Sequence, residues 1–231
     1  DVTLTDIVSY FAEGSKFPRE YSSTINYFEI GVSVGKTLFS TLLTSCDSQV
    51  VAYDLERINP TFREYLRTVL SFETSKTEVI DGHKFLRNHA WANPMKTDPC
   101  VQETYKGDPL SRGNTFHYIN CDEFDLIGWN RLKELVSSFA RRSFQVVFSD
   151  ALHTDNAINF ELTQVFELEL LDKENFAFIW DDMGNSAVRF CDRFLLYISE
   201  DAKERLTCVV FHVYGWLGKN EHKHEVAIIT T

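Results

Sequence analysis

The sequence predicts an α/β protein built on a doubly wound, mostly parallel sheet of seven strands, and three observations carry that expectation. Strand-like and helix-like segments alternate along most of the chain. Four of the strand segments end in an acid, and the first in a glycine, at the step into the next segment. The last two strand segments follow one another with no helix between them, so they should pair antiparallel at the C-terminal end of the sheet.

Taken in order, residues 3–13 place Leu4, Ile7, Val8 and Phe11 on one helix face, and Gly14 follows as a stop. INYFEIG, residues 25–31, is an apolar run with β-branched and aromatic members and reads as the first strand, its glycine turning into the helix GKTLFSTLLTS. QVVAYD, residues 49–54, is a second strand. TFREYLRTVLSF follows Pro60, a residue suited to the first turn of a helix. Residues 73–114 are the least regular part, with Pro94, Pro99, Pro109, Gly82, Gly107 and Gly113 among charges and aromatics. Such an insertion suits an acceptor-side lid or a homo-oligomer contact, and equally a tolerated surface loop. Alternation resumes with strands at 115–122, 144–150 and 175–182, helices at 129–142 and 156–171, a long helical stretch at 186–205, and final strands at 207–216 and 224–231.

The 231 residues are 44% hydrophobic and 14% aromatic, enough for one buried core, so a single domain over residues 1–231 is expected. With 34 acidic against 23 basic residues, the formal charge of −11 repels phosphate backbones, which disfavours nucleic acid and favours a small-molecule partner. Five cysteines without a CxxC pair read as reduced core thiols of a cytoplasmic protein. No apolar stretch is long enough to span a bilayer and the N-terminal residues lack a signal-peptide pattern, so no membrane partner is expected.

In open α/β sheets ligands bind beyond the carboxyl ends of the strands. The first turn reads Glu29-Ile30-Gly31-Val32-Ser33-Val34-Gly35-Lys36-Thr37, and Asp54 ends the next strand nineteen residues after Gly35. Gly31 can take backbone angles closed to other residues, Gly35 would let a ligand approach the helix start, and the N–H groups of that helix suit an anion. A carboxylate at Asp54 can accept both hydroxyl hydrogens of a ribose, so a nucleoside site is the expectation. GVSVGKT also suggests a phosphate-binding P-loop, but that motif needs four residues between its first glycine and the GK pair, and only Val32, Ser33 and Val34 stand there. A P-loop phosphohydrolase is therefore the runner-up. An NAD-binding oxidoreductase and a non-catalytic binding protein of the same fold are further rivals.

EIGVSVGKT followed by VVAYD resembles the first two cofactor motifs of class I S-adenosylmethionine-dependent methyltransferases, in the branch whose turn runs EIGxxxGxS/T. The resemblance implies a Rossmann-like fold and a methyltransferase activity. Glu29, Gly31, Ser33, Gly35 and Thr37 would then surround the methionine end and Asp54 the ribose. Asp122 would contact the adenine amino group, with Asp81 as the alternative. Ser33 departs from the family, which often has glycine there.

Two later strands also end in acids, giving Asp150 with His153, and Asp181 with Asp182. Clustered oxygen ligands without cysteine suit Mg²⁺, Mn²⁺ or Ca²⁺, and His153 could serve as a base. Each acid could instead cap a helix or start a turn. The segment from Ser149 to Gly184 resembles that of metal-dependent sugar and macrolide O-methyltransferases. This implies Asp150, Asp181 and Asp182 as metal ligands and His153, with Asp150, in the catalytic role. Leu152 departs from the second Asp often found in that branch, and DKEN replaces its glycine pair.

Overall fold

The computed structural model describes residues 3–13, 24–32, 35–87, 96–107, 112–152, 154–182, 186–214 and 223–231. Its strands are Asn26–Ile30 (β1), Gln49–Asp54 (β2), Phe72–Arg87 (β3), Lys96–Gly107 (β4), Thr115–Asn120 (β5), Val146–Ser149 (β6), Ala177–Asp182 (β7), Thr207–Tyr214 (β8) and Lys223–Thr230 (β9). The helices are Leu4–Ala12 (α1), Lys36–Thr44 (α2), Pro60–Thr68 (α3), Leu126–Ser137 (α4), Asp155–Glu167 (α5), Ser186–Phe194 (α6) and Glu200–Lys203 (α7). One mixed sheet runs in the order β3-β4-β5-β2-β1-β6-β7-β9-β8. From β5 to β7 the pairings are parallel, while β9 is antiparallel to both β7 and β8.

The alternation of side chains along the strands divides the core into two layers. Phe28, Ile30, Val51, Tyr53, Val147, Phe178 and Trp180 face one side and pack with Trp129, Ile158 and Phe190 of α4, α5 and α6. Tyr27, Val50, Ala52, Phe148 and Ile179 face the other and pack with Val8, Leu38 and Phe62 of α1, α2 and α3. Local sequence sets the helix starts. Thr3 and Asp6 form a capping box before α1, and Asn59 caps α3 with Pro60 at its first turn. Asp125 and Thr154 cap α4 and α5.

The expected seven strands are all present, and the sheet has nine. The two additions come from the segment expected to be irregular: β3 and β4 pair antiparallel from Phe72 opposite Gly107 to Arg87 opposite Lys96 and extend the sheet beyond β5. Register shifts between Thr74 and Lys76, Val79 and Asp81, and Asp81 and Lys84 absorb Gly82 in bulges, which is why a glycine that reads as a loop sits inside a strand. Arg131 of α4 secures this hairpin through Glu78 at 2.6 Å and Gln102 at 2.6 Å. The long helix expected at 186–205 is broken into α6, a 3-10 turn over Leu195–Tyr197 and α7.

The cysteine reading is corrected in part. The register that sets Val101 opposite Asn120 brings Cys100 and Cys121, both fully buried, face to face in a disulfide with a Cα–Cα distance of 4.7 Å. Their contact depends on a strand pairing that the spacing in sequence does not reveal. Of the remaining three, Cys191 is buried, whereas Cys46 and Cys208 are exposed and not core residues. Among the described residues no helix is long and apolar enough to cross a membrane.

Candidate functional site

Parallel pairing brings the carboxyl ends of four strands together. Ile30 lies opposite Tyr53 on one side and Ser149 on the other, so Gly31 follows beside Asp54 and Asp150. Tyr53 in turn lies opposite Ile119, which puts the segment after β5 at the same rim. Between them is a cleft of about 280 Å³ whose lining includes Gly31, Asp54, Asp122 and Asp150. These are four of the residues singled out from the sequence, drawn from four strand ends. Tyr53, Leu55, Glu56, Glu123, Ala151 and Leu152 also line it.

Gly31 has φ +79°, and a Cβ there would lie 2.5 Å from the carbonyl oxygen of Asp150. Its N–H donates to the carbonyl of Tyr53 at 2.9 Å. The glycine is thus required both by its left-handed backbone and by the close passage of the chain after β6. Gly35 also has a positive φ, +77°, at the start of α2, and a Cβ would meet the ring of Phe62 at 2.9 Å. A side chain at Gly35 would therefore run into α3. No side chain caps α2.

Asp54 holds this turn in place. One of its oxygens accepts the N–H of Val32 at 2.6 Å and the other accepts that of Glu56 at 2.7 Å. Each carboxylate oxygen carries two lone pairs and can accept more than one hydrogen bond. Asp122 accepts the N–H of Phe124 at 3.0 Å, and its carbonyl receives the hydroxyl of Tyr53 at 2.9 Å. Glu29 lies beneath the turn, 1% exposed, and accepts the Tyr27 hydroxyl at 2.6 Å. Burial, with the charges of Asp150 and Asp54 nearby, pushes its carboxyl up to about 8. Thr37 lies half-buried in the first turn of α2 and does not line the cleft.

The strand-end acids gather less completely. Ser149 pairs with Trp180, so Asp150 and Asp181 follow on adjacent strands, but Asp150 is exposed at the cleft and Asp181 is buried. Asp182 and the alternative adenine contact Asp81 are placed by their strands only, and Ser33 and His153 lie outside the described residues. Among the described residues no group of three acids, histidines or cysteines is placed to hold a metal ion.

Two acids that sequence reading passed over are part of this rim. Glu123 is 8% exposed and lines the cleft, and its Oε1 has no hydrogen-bond partner among the described residues. Glu161 of α5 is fully buried, with Oε2 accepting the Ser149 hydroxyl at 2.7 Å and Oε1 equally unpartnered. The available signal for Glu161 was an acid on the apolar face of its helix, flanked by Ile158, Leu162 and Val165. Among the described residues that line the cleft none is basic.

No family model matches the sequence, and no curated protein matches it. Solved structures do resemble its fold. The 1,6-didemethyltoxoflavin-N1-methyltransferase of Burkholderia thailandensis, solved with 1,6-didemethyltoxoflavin and S-adenosylhomocysteine, matches 98% of this chain and 77% of its own, with a TM-score of 0.51 at 10% identity. The chain has the Rossmann-like methyltransferase fold. Precorrin-6y C5,15-methyltransferase from Geobacter metallireducens matches 98% of this chain and 88% of its own, with a TM-score of 0.49 at 11% identity. The N-methyltransferase NodS of Bradyrhizobium japonicum, solved with S-adenosylhomocysteine, matches 100% and 89%, with a TM-score of 0.45 at 10% identity. At such identities the likeness is one of fold, and chemistry on the methyltransferase fold must be argued from the cleft itself.

Proposed function

We propose that the protein is an S-adenosylmethionine-dependent methyltransferase acting on a small molecule, with the cofactor lying in the cleft between Gly31, Asp54 and Asp122. The observation that carries this reading is the meeting of Asp54 and Asp122 at neighbouring strand ends in a cleft lined by acids. When bound, S-adenosylmethionine supplies an electrophilic methyl group on a sulfonium cation. In this reading Asp54 accepts from the ribose hydroxyls and Asp122 from the base amine. The amino-acid end would then lie beside Gly31, toward the N-terminal end of α2. The acidic lining complements a cation and repels a triphosphate, which weighs against the P-loop alternative.

The narrower form of the proposal is O-methylation of a sugar or similar hydroxyl, with His153 taking the proton and aligning catalysis through positioning and deprotonation. Asp150, Asp181 and Asp182 would be the ligands of Mg²⁺, Mn²⁺ or Ca²⁺ in that form, and the adjacent strand ends of Asp150 and Asp181 support it. Asp181 is buried, and the described residues gather no group of three such ligands.

Calorimetry with S-adenosylhomocysteine, ATP and NAD side by side tests the main reading. Binding of S-adenosylhomocysteine alone is expected. Asp54→Asn should weaken it about tenfold or more, the worth of a hydrogen bond to a charged group, about 1.5–3 kcal/mol. Tight ATP or NAD binding without S-adenosylhomocysteine would replace this reading, and binding with no methyl transfer to any hydroxyl or amine acceptor would make the chain a binding protein.

A further inference from the structure

The C-terminal edge of the sheet brings two further cysteines together. β8 is the last strand, joined to the sheet through β9, and Cys208 near its start is exposed. Cys208 stands opposite Ile229, and residues directly opposite one another in an antiparallel pair put their side chains on the same face. That face is the one α6 covers, because Ile229 lies in the same core layer as Phe190, Cys191 and Phe194. α6 packs on both β9 and β8, and Cys191 is 6% exposed beneath it. The two thiols meet there, that of Cys191 donating a hydrogen bond to the sulfur of Cys208.

One of these thiols is buried and the other open to solvent, so they differ in what can reach them. An approaching disulfide meets Cys208 first. Burial, then the hydrogen bond to Cys208, pushes the Cys191 thiol up, so Cys191 keeps its proton in the resting chain. Neither cysteine lines the cleft, and the chemistry open to them is independent of what binds there.

We propose that Cys208 is a site of thiol–disulfide exchange with small disulfides of the glutathione class, and that Cys191 resolves the adduct into a Cys191–Cys208 bond joining α6 to β8. In the first step the Cys208 thiolate attacks one sulfur of the small disulfide. A mixed disulfide forms on Cys208 and one small thiolate departs with the electron pair of the broken bond. In the second step Cys191 gives its proton to solvent and its sulfur attacks that of Cys208, releasing the other small thiolate, which takes up a proton. Two protein thiols are oxidised and one small disulfide is reduced to two thiols. With the adduct in place Cys208 carries no thiolate charge, which removes one of the causes that oppose ionisation of Cys191.

The test incubates the intact chain with oxidised glutathione, stops the reaction at intervals by acid and alkylation, and maps the peptides by mass spectrometry. In the wild type, glutathione should appear on Cys208 and then give way to a cross-linked pair of peptides holding Cys191 and Cys208. Cys46, the other exposed free thiol, should keep the glutathione it gains. Cys191→Ala should accumulate the Cys208 adduct several-fold above its wild-type level. Cys208→Ser, a change at an exposed position, should leave Cys191 unmodified and give no cross-link, which keeps the test decisive if Cys191→Ala does not fold. A wild-type adduct on Cys208 that persists with no cross-link overturns the proposal, as does a cross-link from Cys208 to Cys46, Cys100 or Cys121 in place of Cys191. Reaction of Cys46 with none at Cys208, or glutathione on Cys191 in Cys208→Ser at the rate seen for Cys46, overturns it as well.

Discussion

At Gly31 the chain turns with φ +79° while the carbonyl of Asp150 passes 2.5 Å from the position a Cβ would take. Both the left-handed backbone and the backbone-to-backbone contact oppose any side chain, and neither neighbour is a flexible side-chain end. Gly31→Ala is therefore expected to destabilise the fold by about 2–4 kcal/mol, measured as a shift of the urea midpoint. Gly35→Ala should cost less, because its clash is with the Phe62 ring, which can tilt. Gly31 and Asp54 were legible in the sequence because turn chemistry is local: a glycine after a strand and an acid at the end of the next strand are visible without tertiary knowledge. Glu123 and Glu161 were not, because nothing within a few residues of either one tells which carboxyl oxygen will lack a donor. Burial against α4 and β6 decides that, through contacts that only the folded packing of those elements makes.

Among the elements, the β3–β4 hairpin departs most from expectation. Proline and glycine usually interrupt strands, and here Gly82 falls among the bulges while Pro99 stands opposite Lys84. Alternation of polar and apolar residues is weak in β3 because Glu73 to Thr77 are all exposed at the sheet edge, whichever face they stand on. Of the seven other strands, β1, β2, β5, β6, β7 and β9 were readable because their burial favours largely apolar runs, while β8, exposed at the sheet edge, was readable from its own β-branched and aromatic run. The disulfide between Cys100 and Cys121 ties β4 to the residue that precedes Asp122. It closes a loop of 21 residues, for which chain entropy predicts a contribution of roughly 3 kcal/mol. Cys100→Ser and Cys121→Ser should each lower the denaturation midpoint accordingly, and a reducing agent should lower the wild type to match. A wild type indifferent to reduction would place this bond outside the stability of the fold.

For the molecule as a whole, buried acids set the response to pH. Glu29 is pushed up to about 8 and Glu123 to about 7, and Glu161 is raised by burial. Such groups keep their protons in the fold while the unfolded chain ionises near 4.5, so the folded state loses stability as pH rises from about 4.5 through 8. His117 acts in the other direction. It is buried between Thr104 and Gln49 and pushed down to about 4, so its contribution is present above 6.5 and is lost as pH falls toward 4. Between pH 6.5 and 8 the acids are unopposed by it, and a thermal melt should show Tm falling over that range. Glu29→Gln and Glu161→Gln should each flatten the slope; a Tm that rises toward pH 8 would contradict the assignment. The sheet order has a further consequence, in time. β1 sits at the centre, paired with β2 close in sequence but also with β6, where Tyr27 meets Val146 after 119 intervening steps along the chain. At roughly 5–20 residues per second, a ribosome takes about 6–24 s to supply that second neighbour. During this interval the open edge of β1 is accessible to any other nascent chain, which makes early synthesis the stage at which a chaperone would matter most.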